Sequence, residues 1–262
     1  TAEGFWKDLE TSLHNLKTDY VDIYQFHNPA VCPKPGDGSG LYEAMLEAKE
    51  QGKIRFIGIT NHRMSIAEEA IESGLYDTLQ FPFNYLSTER EIALAKACAE
   101  HEMGFIAMKG LSGGLLTNSA AIYAYMAQFE NVLPIWGVQK ESELDEFLSY
   151  IGNPPELTDE LKAVIEKDQK ELAGEFCRGC GYCMPCPAGI EINNCARMSL
   201  MVRRAPSKAW LNETWQENMK KIEGCLHCNQ CMKKCPYQLN TPELLQKNYE
   251  DYKKILAGEV QV

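Results

Sequence analysis

FCRGCGYCMPCP, residues 176–187, carries Cys177, Cys180, Cys183 and Cys186 with two residues between each, and Pro187 stands behind the last. CLHCNQCMKKCP, residues 225–236, repeats the device with Cys225, Cys228, Cys231 and Cys235, then Pro236. A thiolate is a soft metal ligand, and steps of two or three residues let one loop wrap one centre. These eight thiols therefore suit shared metal centres better than separate disulfide bridges. Cys32, Cys98 and Cys195 lie outside the runs. A second set of chemistry-bearing side chains, His27, Asn28, Thr60, Asn61, His62, Asn84 and Lys109, lies far from the cysteines in sequence. Each falls just past a stretch that reads as a strand.

The elements that must position this second set alternate. YVDIYQFH, 20–27, is rich in aromatic and β-branched residues and reads as a buried strand after a helical pattern from Glu3 to Lys17. GLYEAMLEAKEQGK, 40–53, is an amphipathic helix stopped by Gly52, and IRFIGIT follows as the next strand. The alternation continues with helix 65–73, strand 76–83, helix 88–101, strand 104–108, helix 118–130, strand 132–136 and helix 141–150. Such spacing means parallel βα units, in an open doubly wound sheet or in a barrel. A closed eight-stranded barrel takes about 250 residues, so a barrel with five strands here requires about three more in front. An open sheet requires none. In both, the ligand site lies at the carboxyl ends of the strands. The bland readings stand beside the functional one: a strand-end His as a structural hydrogen-bonder, Asn61 and Asn84 as turn formers, and GLSGG at 110–114 as a simple turn.

Lys plus Arg number 26 against 37 Asp plus Glu, a net charge of -11, which argues against nucleic acid as a partner. Residues 1–170 hold 14 basic and 27 acidic side chains and residues 171–262 hold 12 and 10, a shift that marks a domain boundary. No apolar stretch approaches the roughly 20 residues that span a bilayer, and no basic-then-apolar leader is present, so a soluble, cytoplasmic protein without a membrane partner is expected. The first residue is Thr and the text enters directly on a helical pattern. The chain is expected to start inside a longer protein.

LETSLHNLKTDYVDIYQFHNP, EAKEQGKIRFIGITNH and GFIAMKGLSGGLL resemble, in order and spacing, three consecutive signatures of the aldo-keto reductase family, over residues 1–150. The resemblance implies a (β/α)8 TIM-type barrel, here lacking its first strands, that binds NADPH across its mouth and reduces a small-molecule carbonyl with an Asp, Tyr, Lys and His tetrad. His27 matches the His. The Asp, Tyr and Lys have no counterpart, so this chain alone is expected to be inactive, with about 100 further residues in front to carry them. The resemblance also implies that Thr60, Asn61 and Gln80 hydrogen-bond the nicotinamide carboxamide, that Met108 lies against the ring, and that Lys109, Leu111 and Gly113 border the pyrophosphate. Gly137 and Lys140 fall in the adenosine 2′-phosphate region, where Gln139, Glu141 and Glu143 surround the single cation. NADPH and NADH both stay open.

The second cysteine run has the spacing of bacterial ferredoxins. In that resemblance three thiolates hold one 4Fe-4S cluster and the fourth, before proline, reaches the other. It implies two clusters, one on Cys177, Cys180, Cys183 and Cys235, the other on Cys225, Cys228, Cys231 and Cys186. Two four-cysteine zinc sites are the alternative. Cys186 follows a contracted spacing; Cys195 is its spare candidate, with a buried small hydrophobe the favoured reading of that residue. The intervening patterns EINNCARMSLMVRRA and PSKAWLNETWQENMKKI, parted by Pro206, and a final helix at 240–256 capped by Thr241 or Asn240 resemble an α-helical dicluster domain. The expected domains are a barrel at 1–152, a linker helix within 153–174 and the dicluster domain at 175–262. The expected function is an NAD(P)H-dependent oxidoreductase coupled to iron-sulfur electron transfer, with a one-electron redox partner. The alternative is a noncatalytic electron-transfer or interaction protein on a degenerate barrel.

Overall fold

The computed structural model describes residues 1–172, 176–204 and 207–261, so the Pro206 break and the last residues of the expected linker helix lie outside it. The chain divides into two compact units. The first comprises Thr1–Phe83, Ser87–Met108 and Ala127–Ile135, and the second Asn84–Leu86, Lys109–Met126 and Trp136–Val262.

In the first unit, α1 (Ala2–Leu16) begins at Thr1, whose Oγ1 accepts the Gly4 N–H at 3.1 Å, and ends at Lys17 in left-handed backbone. Phe5, Leu9 and Leu13, four residues apart, form its buried stripe. Then follow β1 (Val21–His27), α2 (Leu41–Glu50), β2 (Ile54–Thr60), α3 (Met64–Ser73), β3 (Thr78–Pro82), α4 (Glu89–Glu100), β4 (Gly104–Met108) and β5 (Val132–Pro134). α4 starts on a capping box in which Thr88 and Glu91 satisfy each other's backbone N–H groups.

All pairings are parallel and the strand order is β1-β2-β3-β4-β5. A doubly wound sheet reverses its order at a switch point. This sheet advances one strand at a time, as a barrel does. The register sets His27 beside Thr60, Thr60 beside Gln80 and Pro82 beside Met108, so the polar strand ends share one edge of the sheet.

Gly58, at the centre of β2, has no room for a side chain: a Cβ there would lie 2.5 Å from Thr78 Oγ1 and 2.7 Å from Gln25 Cγ. Gly58→Ala is therefore expected to overpack the sheet and to cost about 1–3 kcal/mol, seen as a lower midpoint in urea denaturation. An unchanged midpoint would mean that the flanking strands can part.

The second unit holds α5 (Ser119–Met126), α6 (Glu141–Ser149), α7 (Asp159–Glu171), α8 (Ile192–Cys195), α9 (Met198–Arg204), α10 (Glu213–Lys220), α11 (Gln230–Lys234) and α12 (Thr241–Leu256). Two cores fill it. Tyr85, Leu115, Leu116, Ile122, Ile165 and Met201 build one, and Ile190, Ile192, Met198, Met219, Leu245 and Tyr252 the other. Two expectations are corrected. The helix expected over 191–205 is two, because Asn248 of α12 enters between α8 and α9, donating to the Ala196 carbonyl at 3.1 Å and accepting from Ser199 N–H at 2.8 Å. The pattern from 206 to 222 is α10 flanked by 3-10 turns at Ser207–Ala209 and Lys221–Gly224. The expected cap of α12 holds in position: Asn240 is its N-cap residue, though its side chain donates to Glu243 rather than accepting a backbone N–H, and Thr241 donates to the Leu239 carbonyl. Among the described residues no helix is long and apolar enough to cross a membrane.

Candidate functional site

In the first unit, exposed His27 ends β1, and the next backbone N–H, of Asn28, donates to the Thr60 carbonyl at 2.8 Å. Gln25 donates to Gln80 Oε1 at 2.9 Å, and Gln80 Nε2 lies 3.7 Å from Met108 Sδ. Gln80 and Met108 thus sit side by side. Asn61 is wholly buried, and its amide is engaged internally: Nδ2 donates to the Pro29 carbonyl, and Oδ1 accepts from His62 and Arg63 N–H, each at 2.9 Å. That bonding is a turn former's. Two buried acceptors in this region, Gln25 Oε1 and Asn28 Oδ1, have no partner. A carboxamide N–H₂ is the kind of donor they lack. Asn28 is among the strand-end polar residues picked out in the sequence, but Gln25 is not, because an unpaired acceptor is a property of packing.

In the second unit, Asn84 Nδ2 donates to the Lys109 carbonyl at 2.9 Å and opens a tight loop. Lys109, Ser112, Gly113 and Gly114 all have positive φ, and Ser112 and Gly114 N–H close turns onto the Lys109 and Leu111 carbonyls. Gly137 and Lys140 are exposed. Glu143 is turned back on the start of its own helix, accepting the N–H groups of Gln139 and Lys140 at 2.8 and 3.3 Å.

The cysteine runs lie in the same unit. Burial pushes the Cys177 thiol up, opposed by the Gly179 N–H at 3.4 Å and the Arg197 guanidinium, while Cys180 and Cys235 act as like charges on it. Cys180 is raised by burial, opposed by the Tyr182 N–H, raised again by Cys235 and drawn down by Lys109. Cys183 is pushed up to about 12 by burial and by Cys177 and Cys180. Thus Cys235 of the second run acts on two thiols of the first. Arg178 ties these segments together, stacking 4.1 Å over Phe176 and 5.9 Å over Tyr237, two residues past Cys235.

The converse holds for the other set. Cys231 is raised by burial and then by Cys225 and Cys186. Cys186, Cys225, Cys228 and Cys231 line one small cavity, with Cys183, Ile190, Ile192 and Leu245 also in its wall. Gln230 donates across it to the Pro185 carbonyl at 3.0 Å. Four thiols around an apolar chamber fit a 4Fe-4S cluster as a donor set. Among the described residues, no three His, Cys, Asp or Glu converge closely enough to hold a single ion. Cys195 is fully buried in the core and 3.9 Å from the Asn218 carbonyl, and it is not in the cavity wall.

A singly wound parallel α/β barrel sheet and a helical unit carrying two runs of four cysteines define the class. Residues 1–131 match the Aldo/keto reductase family and residues 176–240 the 4Fe-4S dicluster domain. The chain belongs to the aldo/keto reductase family, with (β/α)8-type architecture followed by a helical dicluster domain. It is 34% identical over 123 residues to the methylglyoxal reductase DkgB of Salmonella typhimurium, covering 43% of this chain and 45% of that one. To the NADH-specific methylglyoxal reductase of Escherichia coli it is 29% identical over 119 residues, covering 45% and 36%. The chain spans under half the length of these two relatives. The apo aldo-keto reductase AKR11C1 of Bacillus halodurans superposes with TM-score 0.54 at 20% identity, over 66% of this chain and 71% of the other, a likeness of fold.

Proposed function

We propose that the protein is an NAD(P)H-dependent oxidoreductase of small carbonyl compounds whose barrel is coupled to two 4Fe-4S clusters and, through them, to a one-electron partner. One observation carries this reading. The loop that the family resemblance gives to the dinucleotide pyrophosphate and the cysteine runs belong to one compact unit, where Lys109 acts electrostatically on Cys180. Cys177, Cys180, Cys183 and Cys235 would hold one cluster, and Cys186, Cys225, Cys228 and Cys231 the other. Bound there, such clusters accept and donate single electrons.

The chain's own residues do the rest. His27 would orient the carbonyl and assist proton delivery to its oxygen, while Gln80 and Met108 border the nicotinamide. Thr60 and Asn61 belong to the same reading, with Asn61 acting through the turn it holds. Leu111 and Gly113 would line the pyrophosphate, and Gly137 and Lys140 the adenosine end. Glu143 and Glu141 beside Lys140 disfavour a 2′-phosphate, so NADH is the preferred donor. The domains of this reading are 1–152, the linker within 153–174 and 175–262, and its compartment is the reducing cytoplasm. Methylglyoxal, the substrate named for two relatives, is the first carbonyl to try.

The internal bonding of Asn61 favours a second reading, a noncatalytic electron-transfer protein on a barrel platform. Anaerobic assay of the natural full-length protein decides. About eight iron per chain, with NADH oxidation that depends on methylglyoxal or on a one-electron acceptor, is expected. Eight iron without any such oxidation favours the second reading, and two zinc without iron ends both.

A further inference from the structure

Arg197 is a buried cation without an anion. The residue is 8% exposed, Nη1 donates to the Gly113 carbonyl at 3.2 Å, Nη2 reaches Asn194 Oδ1 only at 3.5 Å, and Nε has no partner. Among the described residues no carboxylate forms an ion pair with it. An uncompensated charge in such a site is costly. The space around it explains the tolerance. A Cβ on Gly113 would lie 2.6 Å from Nη1, and one on Gly179 would lie 2.7 Å from Cζ, so two glycines make room for the guanidinium. Gly179 is also the residue whose N–H points at Cys177 Sγ. The missing negative charge is therefore next door, on the thiolates of the first cysteine run.

We propose that Arg197 is a positioning residue that raises the reduction potential of the cluster on Cys177, Cys180, Cys183 and Cys235 and ties that cluster to the Lys109–Gly114 loop. The proposal rests on the ligand sets given above. Reduction adds one electron, hence one negative charge, to the cluster, and a fixed buried cation stabilises the charged product more than the reactant. The same guanidinium holds the Gly113 carbonyl, so displacing the loop displaces the charge. Lys109 adds a second, more exposed cation to the same side through Cys180. The wall of the other cavity, which holds Cys186, Cys225, Cys228 and Cys231, contains neither Arg197 nor Lys109.

An EPR-monitored redox titration of the cluster-loaded full chain tests this. Arg197→Met is expected to lower the one-electron reduction constant of one cluster by tenfold or more, about 59 mV, and to leave the other in place. Arg197→Lys should restore part of the shift, because it keeps the charge and loses the fork. Gly113→Ala, which pushes the guanidinium away with its charge intact, should move the same cluster in the same direction. If Arg197→Met loses iron, the Lys and Gly113 variants decide. A variant retaining eight iron with both potentials unmoved overturns the role of Arg197. A wild-type chain that binds no iron would instead sink the ligand assignment beneath it.

Discussion

Replacing Arg204 by methionine is expected to cost the second unit about 3–5 kcal/mol, the range for stranding one member of a buried ion pair. Arg204 Nη2 donates to Asp168 Oδ1 at 2.8 Å, with side chains 13% and 11% exposed, and Nη1 donates to the Leu115 carbonyl at 3.0 Å. The phenol of Tyr85 donates to the other Asp168 oxygen. Without the guanidinium, a buried carboxylate keeps only that phenol. Glu171, the second acid on Arg204, is about half exposed and adds little. Urea denaturation followed by tryptophan fluorescence reads the loss, since Trp136 and Trp210 pack against the same core. A cost below about 1 kcal/mol would be that of a surface pair and would refute the burial. Arg204→Met combined with Asp168→Leu should recover much of the loss, because no charge is left to strand.

The same network fixes an alkaline limit. The Tyr85 phenol is raised above its ordinary value, first by burial and then by its bond to Asp168. The unfolded chain gives up this proton near pH 10 while the folded chain keeps it. The unfolded state then binds fewer protons, so stability falls as pH rises past about 10. Tyr85→Phe should flatten that limb of the profile.

Much of this was legible from residues alone. The βα alternation, and the strand ends at His27, Thr60 and Met108, follow from short apolar runs bounded by glycine and polar turn formers, whose local physics is strong. Periodicity alone allowed an open sheet or a barrel, the family resemblance chose the barrel, and the strand order, a non-local fact, agrees with it. The two cysteine runs were legible because Cys-x-x-Cys steps gather thiols in one loop, while their crossed pairing came from the ferredoxin resemblance. The break between α8 and α9 was not. It depends on Asn248, about fifty positions away in sequence, supplying the hydrogen bonds that a continuous helix would have made itself. Arg197 sits inside that same stretch of helical periodicity, and nothing in its neighbours announces a buried cation. Its role rests on the absence of two side chains, at Gly113 and Gly179.

Cys186→Ser is expected to remove one cluster and spare the other, lowering iron from about eight to about four per chain. The contracted spacing makes this thiol the severest test of the crossed assignment. Cys186 reaches its set from the far run: it lies in the wall of the cavity with Cys225, Cys228 and Cys231, and it acts electrostatically on Cys231. Gln230, beside Cys231, holds the neighbouring Pro185 carbonyl at 3.0 Å, and Gly189 N–H closes a turn on the Cys186 carbonyl at 2.9 Å. A serine oxygen is a harder and far less acidic ligand, so the site loses its fourth thiolate while its walls stay. The other set keeps Cys177, Cys180, Cys183 and Cys235, and Cys183 borders both regions without changing sets. Cys195→Ser is the control. Its thiol lies in the core away from the cavity, so the variant should retain all its iron even if it loses some stability. Full iron in Cys186→Ser together with loss in Cys195→Ser would reverse the assignment. Loss of all iron in Cys186→Ser would mean that the two centres form as one cooperative unit, with the shared wall at Cys183 the place where they depend on each other.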